Sequence, residues 1–91
     1  MQVQYSTRAA REIRKLPAQD ATRLRDAIER LAGGGEGAEN LDIKALAGRA
    51  PWLRMRVGDW RVIYRPIDPG PGYFVGRVIN RRDLESAVKQ L

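Results

Sequence analysis

Val3 and Tyr5 alternate with polar neighbours, which predicts a short strand over about residues 2–5. Ser6 or Thr7 can cap a following helix, because a hydroxyl there satisfies an otherwise orphan backbone N–H. Ala9, Ile13 and Leu16 mark one face of that helix, and Pro17 stops it. A second helix is predicted over about Ala18–Ala32. Its apolar positions Leu24, Ala27, Ile28 and Leu31 fall at i, i+3, i+4 and i+7, a single stripe. Charges between them, such as Asp26 with Arg30, are spaced to pair along the wet face. The run Gly33-Gly34-Gly35-Glu36-Gly37 ends the helix in a flexible linker. It is no phosphate loop, since it follows a helix and no Lys-Ser/Thr comes after it.

From Leu41 the period changes to two. Asp42–Leu46 predicts a strand ended by Ala47-Gly48. Leu53–Val57 alternates apolar and basic residues, and Trp60–Arg65 is rich in strand formers. Gly58-Asp59 between them is a two-residue hairpin loop with Gly first, the type II′ pattern. The Pro- and Gly-rich stretch 66–72 is a connection, Tyr73–Ile79 the last strand, and Arg82–Leu91 a short terminal helix. The order β-αα-βββ-α defines a single α+β domain over residues 1–91. Two helices cover one face of a mainly antiparallel sheet of about four strands.

The hairpin loop sets a register by counting. Val57 faces Trp60, Met55 faces Val62 and Leu53 faces Tyr64, so these six form the core side. On the opposite side Arg56 faces Arg61 and Arg54 faces Ile63, with Arg65 one step further along. Like charges directly opposite are destabilising, so the Arg56–Arg61 pair calls for a reason. Arginine's planar fork matches phosphate oxygens and stays charged at any working pH. Several forks on a concave, helix-free sheet face would bind a phosphodiester. The same pattern fits a solvated face whose arginine stems cover apolar surface. Arg77 in the last strand could join this face, although its register is not set by counting. Arg81, just beyond that strand, could close the site.

Composition sharpens the picture. The 91 residues carry 17 Lys+Arg against 11 Asp+Glu, a net charge of +6. Residues 41–91 hold ten basic and five acidic side chains, which points to an anionic partner for that half. With no Cys and no His, disulfides, thiolate chemistry and imidazole bases are excluded, and metal ligands reduce to carboxylates. No apolar run approaches the roughly 18–20 residues of a membrane span. The first residues lack the order of a signal peptide. A soluble, cytoplasmic protein is expected, without cofactor, metal or membrane partner.

On these segments the chain resembles the RelE/ParE toxin superfamily of bacterial toxin–antitoxin modules, nearer its RelE branch. The resemblance is carried by Asp42–Gly48, by Trp52–Tyr64 and by Asn80-Arg81-Arg82-Asp83, and the order of elements matches over nearly the whole chain. It implies a RelE-like fold and ribosome-dependent mRNA cleavage, with the 2′-hydroxyl beside the scissile phosphate as nucleophile. Arg54 and Arg56 match the family's basic positions before the hairpin turn, Arg61 the arginine just after it, and Arg81 the arginine following the last strand. By resemblance these orient the mRNA and stabilise the charge that develops in phosphoryl transfer.

Many relatives place a Tyr shortly after the Arg-Arg-Asp run, where it takes part in proton transfer; Glu85 occupies that position here. Arginine does not deprotonate in proteins and His is absent, so Glu85 is the candidate base. A carboxylate in a first helical turn also serves as a dipole partner. Asp83 is expected to cap the last helix. Tyr5 and Tyr73 are candidate acids only if their side chains reach the site. The resemblance further implies a cognate antitoxin, contacts with ribosome-bound mRNA and rRNA, and DNA contact only through the antitoxin complex. Two alternatives stay open: a ParE-like inhibitor of DNA gyrase that cleaves no RNA, and a non-catalytic basic binding module of the same fold.

Overall fold

The computed structural model describes residues 2–91. Strand β1 (Val3–Tyr5) leads into helix α1 (Thr7–Arg14), and α2 (Ala18–Gly33) follows. Four strands come next: β2 (Asp42–Ala45), β3 (Leu53–Val57), β4 (Trp60–Pro66) and β5 (Tyr73–Asn80). A 3₁₀ turn over Arg81–Asp83 then opens α3 (Leu84–Val88). The sheet has five strands, one more than expected, in the order β1-β5-β4-β3-β2. Four strands follow the helices where the order β-αα-βββ-α counts three, and the expected first strand, β1, pairs parallel to β5 while all other neighbours are antiparallel.

Ser6 caps α1, its Oγ accepting from the Ala9 N–H at 2.9 Å. That helix ends at Arg14, and Pro17 takes the position before α2, where its missing N–H costs nothing. The apolar stripes of both helices pack on Met55, Val57, Val62, Tyr64, Val75 and Val78 to make the main core. Tyr64 is buried there, and desolvation, followed by the neighbouring Tyr73, pushes its phenol up to about 12.

Three local expectations are corrected. The glycine run is not left as an open linker: Gly34, at φ 66°, ends α2, and the chain winds into a 3₁₀ helix over Gly35–Asn40. Arg30 does not pair with Asp26; its guanidinium donates to the Gly37 carbonyl at 3.2 and 2.9 Å and so holds that helix against α2. At the C-terminal end Asp83 makes no side-chain capping bond. Asn80 supplies one instead, Oδ1 accepting from the Arg82 N–H at 3.2 Å.

The far face of the sheet is not helix-free, as the alternation alone suggested. Ile63 and Ile79 are buried there beneath Ala87, Leu84 and Leu91, with Leu46 and Trp52 beside them. Two buried isoleucines among arginines on one face are what a short covering helix requires. Thus α3 forms a second, smaller core and leaves the arginines around its margin.

Candidate phosphate-binding site

The hairpin has the register that counting assigns: Val57 opposite Trp60, Arg56 opposite Arg61, Met55 opposite Val62, Arg54 opposite Ile63 and Leu53 opposite Tyr64. Gly58 has φ 59° and no non-glycine described residue has positive φ, which fits a type II′ loop with Gly first. Residues directly opposite share a face. Arg54, Arg56 and Arg61 therefore project from the face opposite Met55, Val62 and Tyr64.

Strand β2 extends that face on its open side. Asp42 lies opposite Arg56, and Lys44 opposite Arg54. The Arg54 guanidinium donates to Asp42 Oδ1 at 3.1 Å and to the Asp42 carbonyl at 3.4 Å. Arg61 donates to the Gly58 and Trp60 carbonyls at 2.9 and 3.0 Å, which fixes its fork at the hairpin tip. Partial burial is the main influence lowering its pKa, followed by the positive charges of Arg56, Arg54 and Arg81, with Asp42 opposing. Three of the expected arginines thus act on the fourth. Arg81 reaches it because its backbone N–H donates to the Asp59 carbonyl at 2.8 Å, tying the end of β5 to the hairpin loop. Its own guanidinium lies 3.8 Å from the Asp59 carboxylate and is largely exposed.

Arg77 is engaged elsewhere. Strand β1 ends at Tyr5, opposite Val75, so the outer edge of β5 beyond that point has no strand beside it. Helix α1 supplies the missing partners. Ser6 Oγ donates to the Gly76 carbonyl at 2.7 Å, and Glu12 Oε1 accepts from the Val78 N–H at 2.9 Å. The same Glu12 carboxylate takes the Arg77 fork at 3.0 to 3.2 Å. A carboxylate on α1 thus neutralises Arg77 and closes the sheet edge together.

Neither tyrosine stands among the arginines. Tyr5 is on β1, three strands from β3, or about 14 Å at ordinary strand spacing. Burial chiefly raises its pKa, with Arg25 and Glu29 of α2 acting on it in opposite directions. Tyr73 packs edge-on against Tyr64 in the helix-side core, ring centroids 5.6 Å apart. Glu85, in the first turn of α3, is exposed and lies 3.9 Å from Lys89. It is not among the charges that shift Arg61.

Asp42 and Lys44 are the residues that sequence reasoning left out of the site. Their period-two spacing was visible, but a loop over 46–52 hid the register of β2 on β3. Among the described residues no group of three or more carboxylates could hold a metal ion. No described helix is long and apolar enough to cross a membrane.

A cluster of four arginines at one end of a five-stranded sheet, backed by helices, defines a small basic α+β protein. The ParE toxin family of type II toxin–antitoxin systems matches residues 3–85, and the chain belongs to this RelE/ParE toxin superfamily. A RelB–RelE antitoxin–toxin complex from Methanococcus jannaschii has the same fold, with a TM-score of 0.75 and 19% identity over 92% of this chain and 96% of that one. The isolated E. coli RelE toxin superposes with a TM-score of 0.67 at 20% identity, covering 98% and 97% of the two chains. The toxin–antitoxin complex RelBE2 of Mycobacterium tuberculosis is 31% identical over 87% of this chain and 95% of that one, with a TM-score of 0.59. The last of these, at 31% identity, supports the RelE branch; the other two show the fold. No curated protein matches the chain by sequence.

Proposed function

We propose that this toxin cleaves mRNA on the ribosome and that Arg54, Arg56, Arg61 and Arg81 form its phosphate site. The observation that carries the reading is Arg61, anchored by two carbonyls with three further arginines acting on it. Four cations without acidic partners of equal number would repel one another at a purely structural surface. An incoming phosphodiester relieves that repulsion, most of all when charge builds up on its oxygens.

In this mechanism the 2′-oxygen bonds to the adjacent phosphorus while the bond to the 5′-oxygen breaks. The arginines align the 2′-hydroxyl and hold the equatorial oxygens. Glu85 is the proposed acceptor of the 2′-hydroxyl proton, carried by the helix whose Leu84 and Ala87 seat on the arginine face. The leaving 5′-oxygen takes a proton from solvent or the ribosome. rRNA supplies further phosphate contacts for the basic surface. A cognate antitoxin is the proposed protein partner, since several similar structures are antitoxin–toxin complexes. It would inhibit by covering the arginines, and any DNA contact would run through that complex.

The match to the ParE family favours a second reading, inhibition of DNA gyrase without RNA cleavage. Induced expression distinguishes them. Cleavage predicts growth arrest with new mRNA 5′ ends inside translated codons; gyrase inhibition predicts DNA damage and intact messages.

A further inference from the structure

The arginine site continues around the end of the sheet into a groove that the mechanism above does not use. Asp59, Asn80, Arg81 and Arg82 line a shallow depression beside the site. Asn80 and Arg82 also line an adjoining groove of about 380 Å³ between the end of α1 and the end of β5. Its other walls include Lys15, Leu16, Trp60 and the Arg77–Glu12 pair. Its volume lies within the range of small-ligand sites.

The charges in this groove are not equivalent. Glu12 is consumed by Arg77 and by the Val78 N–H. Arg82 and Lys15 are exposed and make no ion pair within 4 Å among the described residues, leaving Asp83 as the opposing exposed charge. Trp60 is half-buried: it packs on the core and also lines the groove. Two uncommitted cations flanking an indole suit single-stranded nucleic acid, where aromatic faces stack bases and cations track the backbone.

We propose that this groove is a second nucleotide subsite, which holds the RNA next to the scissile phosphate. Lys15 and Arg82 bind backbone phosphate there, and Trp60 packs a base. The proposal rests on the RNA-cleavage reading. It adds that the substrate leaves the arginine face over Asn80 and Arg82 and turns toward α1.

The test uses the intact protein and a fluorescein-labelled, fully 2′-O-methylated RNA oligonucleotide, which cannot be cut. Binding is measured by anisotropy across a salt series for the wild type and for the Lys15→Gln/Arg82→Gln double variant. The double variant should bind at least tenfold more weakly, and its log–log salt slope should be shallower by roughly 1.4, two single-strand phosphate contacts. Equal affinity and slope would overturn the subsite, as would no binding by the wild type. In a Trp52→Phe background Trp60 is the remaining indole, and the oligonucleotide should quench its emission; an unchanged spectrum removes the base contact. Ribosomal cleavage, assayed separately, keeps the two ideas apart. A wild type that binds this RNA through the groove but cuts no message loses the nuclease reading alone, while cleavage with an unaffected double variant loses the subsite alone.

Discussion

At the scale of single residues, Arg61 separates a phosphate site from a decorated surface. It donates to two carbonyls of its own hairpin and sits among Arg54, Arg56 and Arg81. Arg61→Ala should abolish toxicity while the protein stays folded. An oriented charge lost at a phosphoryl-transfer centre costs about 2.7–4 kcal/mol of barrier, by analogy with oxyanion-hole deletions. A solvating arginine changes stability by less than about 0.5 kcal/mol and activity hardly at all. Growth curves on induction, with the circular dichroism melt as control, decide between these; a fully toxic Arg61→Ala ends the phosphate argument. Glu85→Gln asks a narrower question, because it preserves shape and removes the proton-accepting charge. General base catalysis is worth about 10²–10⁴-fold, so single-turnover cleavage on programmed ribosomes should fall by that range with ribosome binding unchanged. Equal rates in both proteins would remove Glu85 from the mechanism.

At the scale of elements, the join between α1 and β5 positions everything else. Strand β1 is too short to cover the edge of β5, and Ser6 and Glu12 take over where it stops. Glu12→Ala leaves the Val78 N–H and a mostly buried Arg77 without their acceptor. Losing a buried hydrogen-bond partner costs about 1–3 kcal/mol, more for a charged group. We expect a loss of about 2 kcal/mol in urea denaturation, recovered in part by Glu12→Gln, whose amide oxygen still accepts from Val78. An unchanged midpoint in Glu12→Ala would show that α1 holds the edge by apolar packing alone. The other decisive element is α3, which buries Ile63 and Ile79 and thereby confines the arginines to the end of the sheet.

At the scale of the whole molecule, the net charge of +6 is divided by fold as well as by sequence. Arg77 and Arg30 are spent on internal contacts, and Arg65 lies over the rings of Trp52 and Phe74, 5.4 and 5.0 Å from their centroids. The four site arginines face only two carboxylates, Asp42 and Asp59, and so keep a net positive charge at that end of the sheet. RNA affinity should therefore fall steeply with salt, with a log–log slope of roughly −3 or steeper between about 50 and 200 mM, since each single-strand phosphate contact contributes about −0.7. A flat dependence would mean that the surface charge serves solubility and that the toxin acts through another contact. An antitoxin that covers the arginine face should abolish this salt-dependent binding when the complex forms.

The hairpin was legible in full because its determinants are local. A two-residue loop with Gly at the positive-φ position leaves a single register, and period-two alternation then assigns Arg54, Arg56 and Arg61 to one face. The helices and their buried stripes were legible for the same reason, since a 3.6-residue period needs no distant partner to be read. The resemblance to RelE toxins extended that local pattern to Arg81. What lay outside the sequence is whatever depends on two segments meeting across a long loop. The place of β1 beside β5, the register of Asp42 and Lys44 against β3, and the capture of Arg77 by Glu12 are settled by which backbone groups remain unpaired once the sheet has formed. The covering of Ile63 by α3 is of the same kind, because a short apolar stripe shows that a helix buries a face without showing which one. Local periodicity thus determined the elements and the arginines they carry. Tertiary structure alone decided which arginines are neutralised and which are gathered together, because both depend on the distant carboxylates and carbonyls that folding brings within hydrogen-bonding distance.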